Sequence, residues 1–311
     1  MNLFELLPTL ARPSTGVPRW ALGCFRRRSI SFFDGYTDLT TEVLWLQSGA
    51  LTFDLRLAPG RPRITSPDAL RDANAEQLVR LAEAEGGLGR TSAELVPGLA
   101  HQARLSWDEW DAFQPYAKWP EPGICRRVGD CLIEFAPSGV YVEDWRYQPG
   151  GVGPLVGLRL LDERDRDSGA ILHRGGGLVI CGRHAGFVRG RPHPLPEGIR
   201  AADLVRAAPR DGELLESVFA CEASYAVAKT PGAYVVHAST SPWREGEALL
   251  SLEGFSLEGE LVVQRVREQR NLERIFRIDT LESEFEETET SAVTPEGAAW
   301  LESERATLKR H

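Results

Sequence analysis

The chain has 311 residues, of which 42% are hydrophobic and 26% charged, and it carries a formal net charge of −9. That length holds two ordinary domains or one large β-architecture, and that composition excludes general disorder. The acidic balance argues against nonspecific nucleic-acid or anionic-membrane binding, which needs clustered Lys and Arg to neutralise phosphates.

Residues 1–19 are Pro-rich and read as an irregular arm. Glu5 stands where a secretory signal would need a cationic start and an unbroken apolar stretch. No run approaches the roughly 20 apolar residues of a membrane span. Five cysteines (Cys24, Cys125, Cys131, Cys181, Cys221), with no CxxC among them, do not make a disulfide framework. A reduced, cytoplasmic protein is expected. Arg26-Arg27-Arg28, the one basic cluster, reads as a solvated loop or strand edge.

From Trp20 onward the pattern is mostly strand. "TEVLWLQ" (41–47) and "LTFDLRL" (51–57) are β-rich runs separated by "SGA", which predicts a hairpin. In the second run Phe53, Leu55 and Leu57 share a dry face, while Thr52, Asp54 and Arg56 share a polar one. Residues 66–87 switch to helix, with Ser66 as N-cap, Pro67 at the first helical position and Gly86-Gly87 as the stop. This helix is expected to cap one end of a sheet. Strands resume at 99–107, at 123–136 around a Gly129-Asp130 turn, at 139–147 and at 154–163. The charged turn "DERDRDSG" (162–169) closes the block.

A second β-rich block runs through 169–190, 216–229, 233–239, 248–254, 260–268 and 272–281, with a short helix or irregular excursion at 199–208. The acidic run Glu282 to Glu289 reads as a solvated edge. A final helix over 294–309 starts at Thr294 and Pro295 and places Lys309-Arg310 at its end, as the helix dipole favours. Short strands about a dozen residues apart with Gly-rich turns predict an all-β, mainly antiparallel fold. The two blocks look alike in kind. Two consecutive β-barrels with a few short helices are therefore expected: residues 1–165 with the capping helix, and 166–311 with the terminal helix.

Three motifs fall to plainer readings. "GGVGPLVG" (150–157) lacks the helix that a dinucleotide-phosphate loop needs, because Pro154 leads into a strand-like run. "HRGGG" (173–177) resembles an oxyanion loop, but no GxSxG nucleophile elbow accompanies it. Cys181 and His184 form a single CxxH without a second pair, so no metal site is expected.

What remains are polar groups on strand faces. "GVYVEDWRY" (139–147) sets Tyr141, Glu143 and Trp145 on one face and Val140 and Val142 on the other. Pointed into a barrel, a carboxylate among aromatics is desolvated and can serve as a general acid or base. The alternatives are a structural ion pair with Arg56 or a solvent-exposed face. The valines are expected to pack outward, against the capping helix or the second barrel.

The segments "WLQ…DLRL" (45–57), "LAEAEGGLGRT" (81–91), "WDEWDAFQP" (107–115) and "IEFAPSGVYVEDWR" (133–146) resemble, in that order, the fungal Hri-type proteins and their bacterial relatives. The resemblance covers about residues 40–190. Trp45, Gln47, Asp54 and Arg56 match one signature, Phe113-Gln114-Pro115 a second, and Tyr141, Glu143 and Trp145 a third. Where relatives usually carry an aromatic, this chain reads Gly86-Gly87-Leu88-Gly89. The resemblance implies two lipocalin-like (calycin-type) barrels and brings no settled activity. By analogy with the fold alone, the expected function is a cofactor-independent cyclase or isomerase of bacterial specialised metabolism, acting on a small hydrophobic or polyketide-like intermediate. Glu143 would transfer the proton, Tyr141 would donate a hydrogen bond, and Arg56 with Asp54 would give electrostatic support. Trp45, Gln47, Trp145, Phe113 and Gln114 would bind the substrate. The alternative is a non-catalytic binding or protein-interaction protein. No cofactor, nucleic acid or membrane span is expected as a partner, and a homodimer stays open.

Overall fold

The computed structural model describes residues 1–99, 101–116, 121–286 and 293–308. The first nine strands are β1 (Gly23–Phe32), β2 (Thr37–Asp38), β3 (Glu42–Gln47), β4 (Leu51–Leu57), β5 (Glu85–Leu95), β6 (Gln102–Ala112), β7 (Gly123–Val128), β8 (Cys131–Phe135) and β9 (Tyr141–Tyr147). They form an antiparallel meander that closes when β1 pairs with β9, giving an eight-stranded barrel with β2 as a short flap on β1. Closure leaves no free edge along these strands.

The remaining strands are β10 (Gly153–Asp165), β11 (Ile171–Arg174), β12 (Gly176–Cys181), β13 (His184–Arg189), β14 (Glu222–Thr230), β15 (Ala233–Ser239), β16 (Phe255–Glu258), β17 (Leu261–Arg267) and β18 (Asn271–Phe285). They build a second antiparallel sheet in the order β15-β14-β13-β12-β10-β18-β17-β16, with β11 paired to β10. Among the described residues no ladder joins its two ends. The expected division near residues 163–169 falls inside this sheet's material: β10 pairs with β12 and β18, so the change of sheet lies between Tyr147 and Gly153.

Among the described residues there are five α-helices: α1 (Leu3–Leu6), α2 (Ala75–Leu81), α3 (Ala201–Ala207), α4 (Gly212–Phe219) and α5 (Pro295–Leu308). The helix expected over 66–87 is shorter and divided. Ser66 Oγ does accept from Ala69 N (3.2 Å), but the turn it starts ends at Arg71. Asn74 and Gln77 then form a reciprocal capping box that opens α2. Gly86-Gly87, read as the stop, lie inside β5. Residues 216–219, read as strand, are the last turn of α4, which Asp211 caps at Leu214 N and whose Leu215, Val218 and Phe219 face the core at helical spacing. The run 248–254 buries Leu249, Leu250 and Leu252 but pairs only through a single bridge at Ala248. Thr294 caps α5 at Gly297 N as expected, while Lys309-Arg310 and residues 287–289 of the acidic run lie outside the described residues. Glu282, read as part of a solvated edge, lies in β18 and is tied to Ser14 N (2.8 Å) and Arg19 (3.2 Å). Among the described residues no helix is long and apolar enough to cross a membrane.

The two sheets share one core. The dry face of β4 is the outside of the barrel: Phe53 and Leu55 join Leu88, Leu155, Val179 and Ala223 in a continuous apolar cluster across the seam. Each such side chain contributes on the order of 1.5–3 kcal/mol. The approach is so close that a Cβ added at Gly186 would sit 2.4 Å from the Phe53 ring. The other face of the second sheet is covered by the N-terminal arm through Leu3, Leu6 and Leu7.

Candidate functional site

With its outer wall apolar, the barrel presents its polar strand faces inward. In the β3–β4 ladder Trp45 lies opposite Asp54, Val43 opposite Arg56 and Gln47 opposite Thr52, so these side chains share the lumen. One end is closed. Gln47 Nε2 donates to the carbonyls of Ser48 and Leu51 (both 3.0 Å), and its Oε1 accepts from Trp45 Nε1 (3.2 Å) and Thr91 Oγ1 (2.9 Å). Beside it Arg127 donates to Trp20 O (2.8 Å) and lies over the rings of Phe25 and Tyr147.

The other end is a cavity of about 640 Å³, a size that suits a small organic ligand. Its walls include Trp45, Trp107, Trp110 and Trp145. Trp45 meets Trp145 and Trp107 edge to face, with centroids 5.5 and 6.3 Å apart. Trp110 lies over Gly89, where a Cβ would come within 2.7 Å of its ring. The mouth is lined by the end of β6 and by the stretch after β13, where Arg191 binds the carbonyls of Phe113 and Val218 (both 2.7 Å).

At the floor the β8–β9 hairpin sets two carboxylates side by side. Its turn, closed by Gly139 N to Ala136 O, puts Glu134 directly opposite Glu143 in the ladder. Like charges in such a pair repel unless they are neutralised, and the two are neutralised differently. Glu143 Oε1 accepts from Arg27 Nη1 at 2.6 Å and lies 3.9 Å from Arg56 Nη1. Arg27 in turn reaches Asp38 on the β2 flap (3.1 Å), and Arg56 is held bidentate by Asp54 (2.8 and 3.3 Å). Among the described residues no cation is bonded to Glu134. Its oxygens accept from Tyr141 OH (3.0 Å) and Trp145 Nε1 (3.2 Å).

Burial first, and then the neighbouring Glu143 charge, push the Glu134 carboxyl up to about 8, outweighing Tyr141, Arg56 and Trp145. Burial, followed by the Glu134 charge, holds the Tyr141 phenol far above its usual range. Burial alone would weaken Arg56 as a cation, but Asp54 and Glu143 beside it raise it well above its ordinary value. Near neutral pH the pair is one carboxylic acid and one ion-paired carboxylate, an arrangement able to give a proton at one oxygen and take one at another.

Of the residues singled out in the sequence, Trp45, Asp54, Arg56, Tyr141, Glu143 and Trp145 all line the cavity. Gln47 belongs to the closed end. Gln114 reaches the cavity edge, but its amide is engaged by Ala82 O, Ala84 O and Ala201 N. Phe113 is fully buried between Phe219 and the Arg191 guanidinium, outside the cavity wall. Val140 packs beside Ile30, Ala136 and Tyr141, rather than on the capping helix. Arg56 is not the main partner of Glu143. Arg27 is, because the supposedly solvated arginine run lies within β1 and its middle member turns inward. Glu134 and Arg27 were missed. Glu134 could have been found from the "APSGVY" turn, whose hairpin register sets it opposite Glu143.

Cys181 and His184 have separate protein partners. Cys181 Sγ faces Gln47 O (3.7 Å), and the His184 ring nitrogens meet Tyr225 OH (2.7 Å) and Pro149 O (3.0 Å). Among the described residues no group of His, Cys, Asp and Glu is arranged to hold a metal.

No family model and no curated protein matches the chain. Among solved structures, an uncharacterized protein from Saccharomyces cerevisiae is similar at 10% identity and a TM-score of 0.42, over 84% of this chain and 98% of that one. A likeness of that degree carries no argument about function.

Proposed function

We propose that the first barrel takes a small hydrophobic molecule into this cavity and moves a proton on it without a cofactor. The reaction class is an isomerase or cyclase acting on a polyketide-like carbonyl compound. The observation that supports this most is the Glu134–Glu143 pair, buried in an aromatic cavity and, among the described residues, with only Glu143 ion-paired. Neutral Glu134 donates its proton to the substrate carbonyl oxygen while the Glu143 carboxylate takes the proton from the adjacent carbon. The product is an enol, poised to reprotonate elsewhere or to close a ring. Arg27 and Arg56 hold Glu143 in place as ion-pair partners, Asp54 positions Arg56, and Trp45 and Trp145 shape the wall. The kinship with Hri-type proteins belongs to the same proposal, since the matching segments 45–57 and 133–146 carry all of these residues except Arg27.

The test uses 2-tetralone, a small aromatic ketone, and follows deuterium entry beside its carbonyl in D₂O by NMR. Wild-type protein is expected to accelerate exchange, and Glu134→Gln and Glu143→Gln each to remove roughly 10²- to 10⁴-fold of it. Exchange at the buffer rate, with the ketone bound, overturns the catalytic reading. It would leave the second one, a non-catalytic binder. That reading is favoured by the bonds already linking Tyr141 and Trp145 to Glu134 and Arg56 to Asp54, which can serve simply to hold barrel register.

A further inference from the structure

We infer that the ligand of this cavity carries a positive charge: its chemical class is a hydrophobic amine, with the apolar part among the tryptophans and the ammonium at the Glu134–Glu143 floor. The inference rests on the cavity being the ligand site, as proposed above, and follows the non-catalytic reading of that site, because a Glu134 ionised beside a bound ammonium has no proton to donate.

The first ground is a shortage of cations. Among the described residues four carboxyl groups (Asp38, Asp54, Glu143 and the protonated Glu134) are joined in one network with two guanidiniums, Arg27 and Arg56, so three carboxylates face two cations. Arg127 cannot help, being bonded to the carbonyls of Trp20 and Gly129 at the closed end. A buried site short of positive charge repels anions and stabilises an incoming cation.

The second ground is an acceptor turned to the cavity. Glu143 lines the cavity, its Oε1 accepts from Arg27 and lies 3.9 Å from Arg56 Nη1, and among the described residues no hydrogen bond reaches its Oε2. A carboxylate oxygen on a cavity wall can accept from a ligand, and an ammonium brings three donors.

The third ground is the wall. Trp45, Trp107, Trp110 and Trp145 line the cavity, with Trp45 edge to face with Trp107 and Trp145, and aromatic walls of this kind attract a cation through the ring quadrupole. An aromatic wall above a carboxylate floor is the chemistry that recognises ammonium groups.

Binding must then change the protonation of the floor. Around Glu134 stand Glu143 and Tyr141 from β9, Arg56 and Asp54 from β4, Arg27 from β1 and Cys125 from β7. Burial keeps the Cys125 thiol and the Tyr141 phenol neutral, so Glu134 is the group that can release a proton as the ammonium arrives. The amine then sits between two carboxylates.

The experiment is calorimetry with three isosteric probes: 2-naphthylmethylamine, 2-naphthylmethanol and 2-naphthoate. The amine is expected to bind at least tenfold tighter than the alcohol and the naphthoate weakest. Amine affinity should rise up to tenfold per pH unit from pH 6 towards about 8 and then level, because the ionised form of Glu134 is being selected. Paired titrations in phosphate and Tris at pH 7 should report roughly one proton released per amine, and Glu134→Gln should abolish that release. The wild-type pH dependence stands without the variant. Naphthoate binding as tightly as the amine, or an amine affinity flat with pH, overturns the inference. If the alcohol binds as well as the amine while tetralone exchange still depends on Glu134, only the ligand class falls. If none of the three probes binds, the cavity reading falls with it.

Discussion

Replacing Glu134 by Gln should reverse its effect on stability across the pH range. The carboxyl is 5% exposed and is pushed from an ordinary value of 4.5 up to about 8, so folding favours its protonated form. Below about pH 4.5 both folded and unfolded chains hold the proton, and the stabilisation of the neutral acid is fully present. Between there and about pH 8 the unfolded chain has lost the proton while the folded chain keeps it, so stability falls as pH rises. The slope is up to about 1.4 kcal/mol per pH unit, and the whole window amounts to a few kcal/mol. Glutamine is always neutral and lacks this slope. Its amide oxygen can accept from Trp145 Nε1, while the Tyr141 hydroxyl rotates to accept from its NH₂. Urea denaturation of wild type and E134Q at pH 5, 6, 7, 8 and 9 measures the difference. The variant should gain on wild type with each step up to about pH 8 and then run parallel. A difference that stays constant from pH 5 to 9 would refute the reasoning, because Glu134 would then titrate alike in both states.

Arg27→Ala leaves Glu143 and Asp38 without their shared cation and should cost about 3–5 kcal/mol in urea unfolding near pH 7. Gly186→Ala forces a methyl against the Phe53 ring, and the strain of about 1–3 kcal/mol should appear as a lower melting temperature. Asn74→Ala removes the cap of α2 and should destabilise by about 1 kcal/mol while leaving ligand binding unchanged.

Much of the barrel was legible because strand period and turn chemistry are local. The alternation of Tyr141, Glu143 and Trp145 marks one face of β9, and the Gly129-Asp130 turn separates β7 from β8. The polar face of β4, with Asp54 and Arg56, turns into the barrel as its sequence suggests, but what covers the dry face was not legible: Phe53 and Leu55 meet a sheet more than 100 residues further along the chain. Arg27 was hidden because three consecutive arginines read as one solvated unit, although strand alternation from Phe25 puts Arg27 on the buried face between exposed Arg26 and Arg28. The split of the 66–87 helix turns on a second cap at Asn74, which competes locally with the one at Ser66. β10 looked like the last strand of the first block, since only its ladders to β12 and β18 reveal its sheet.

The protonation state of the carboxylate pair is open to direct measurement. With glutamate side-chain carboxyls labelled with ¹³C, an NMR titration of wild type and Glu134→Gln follows each carboxyl through its ionisation. A single glutamate titrating near pH 8 in wild type and missing from the variant is the predicted result. A spectrum in which every glutamate has ionised by pH 6 would contradict the account, leaving the cavity no neutral acid with which to donate a proton.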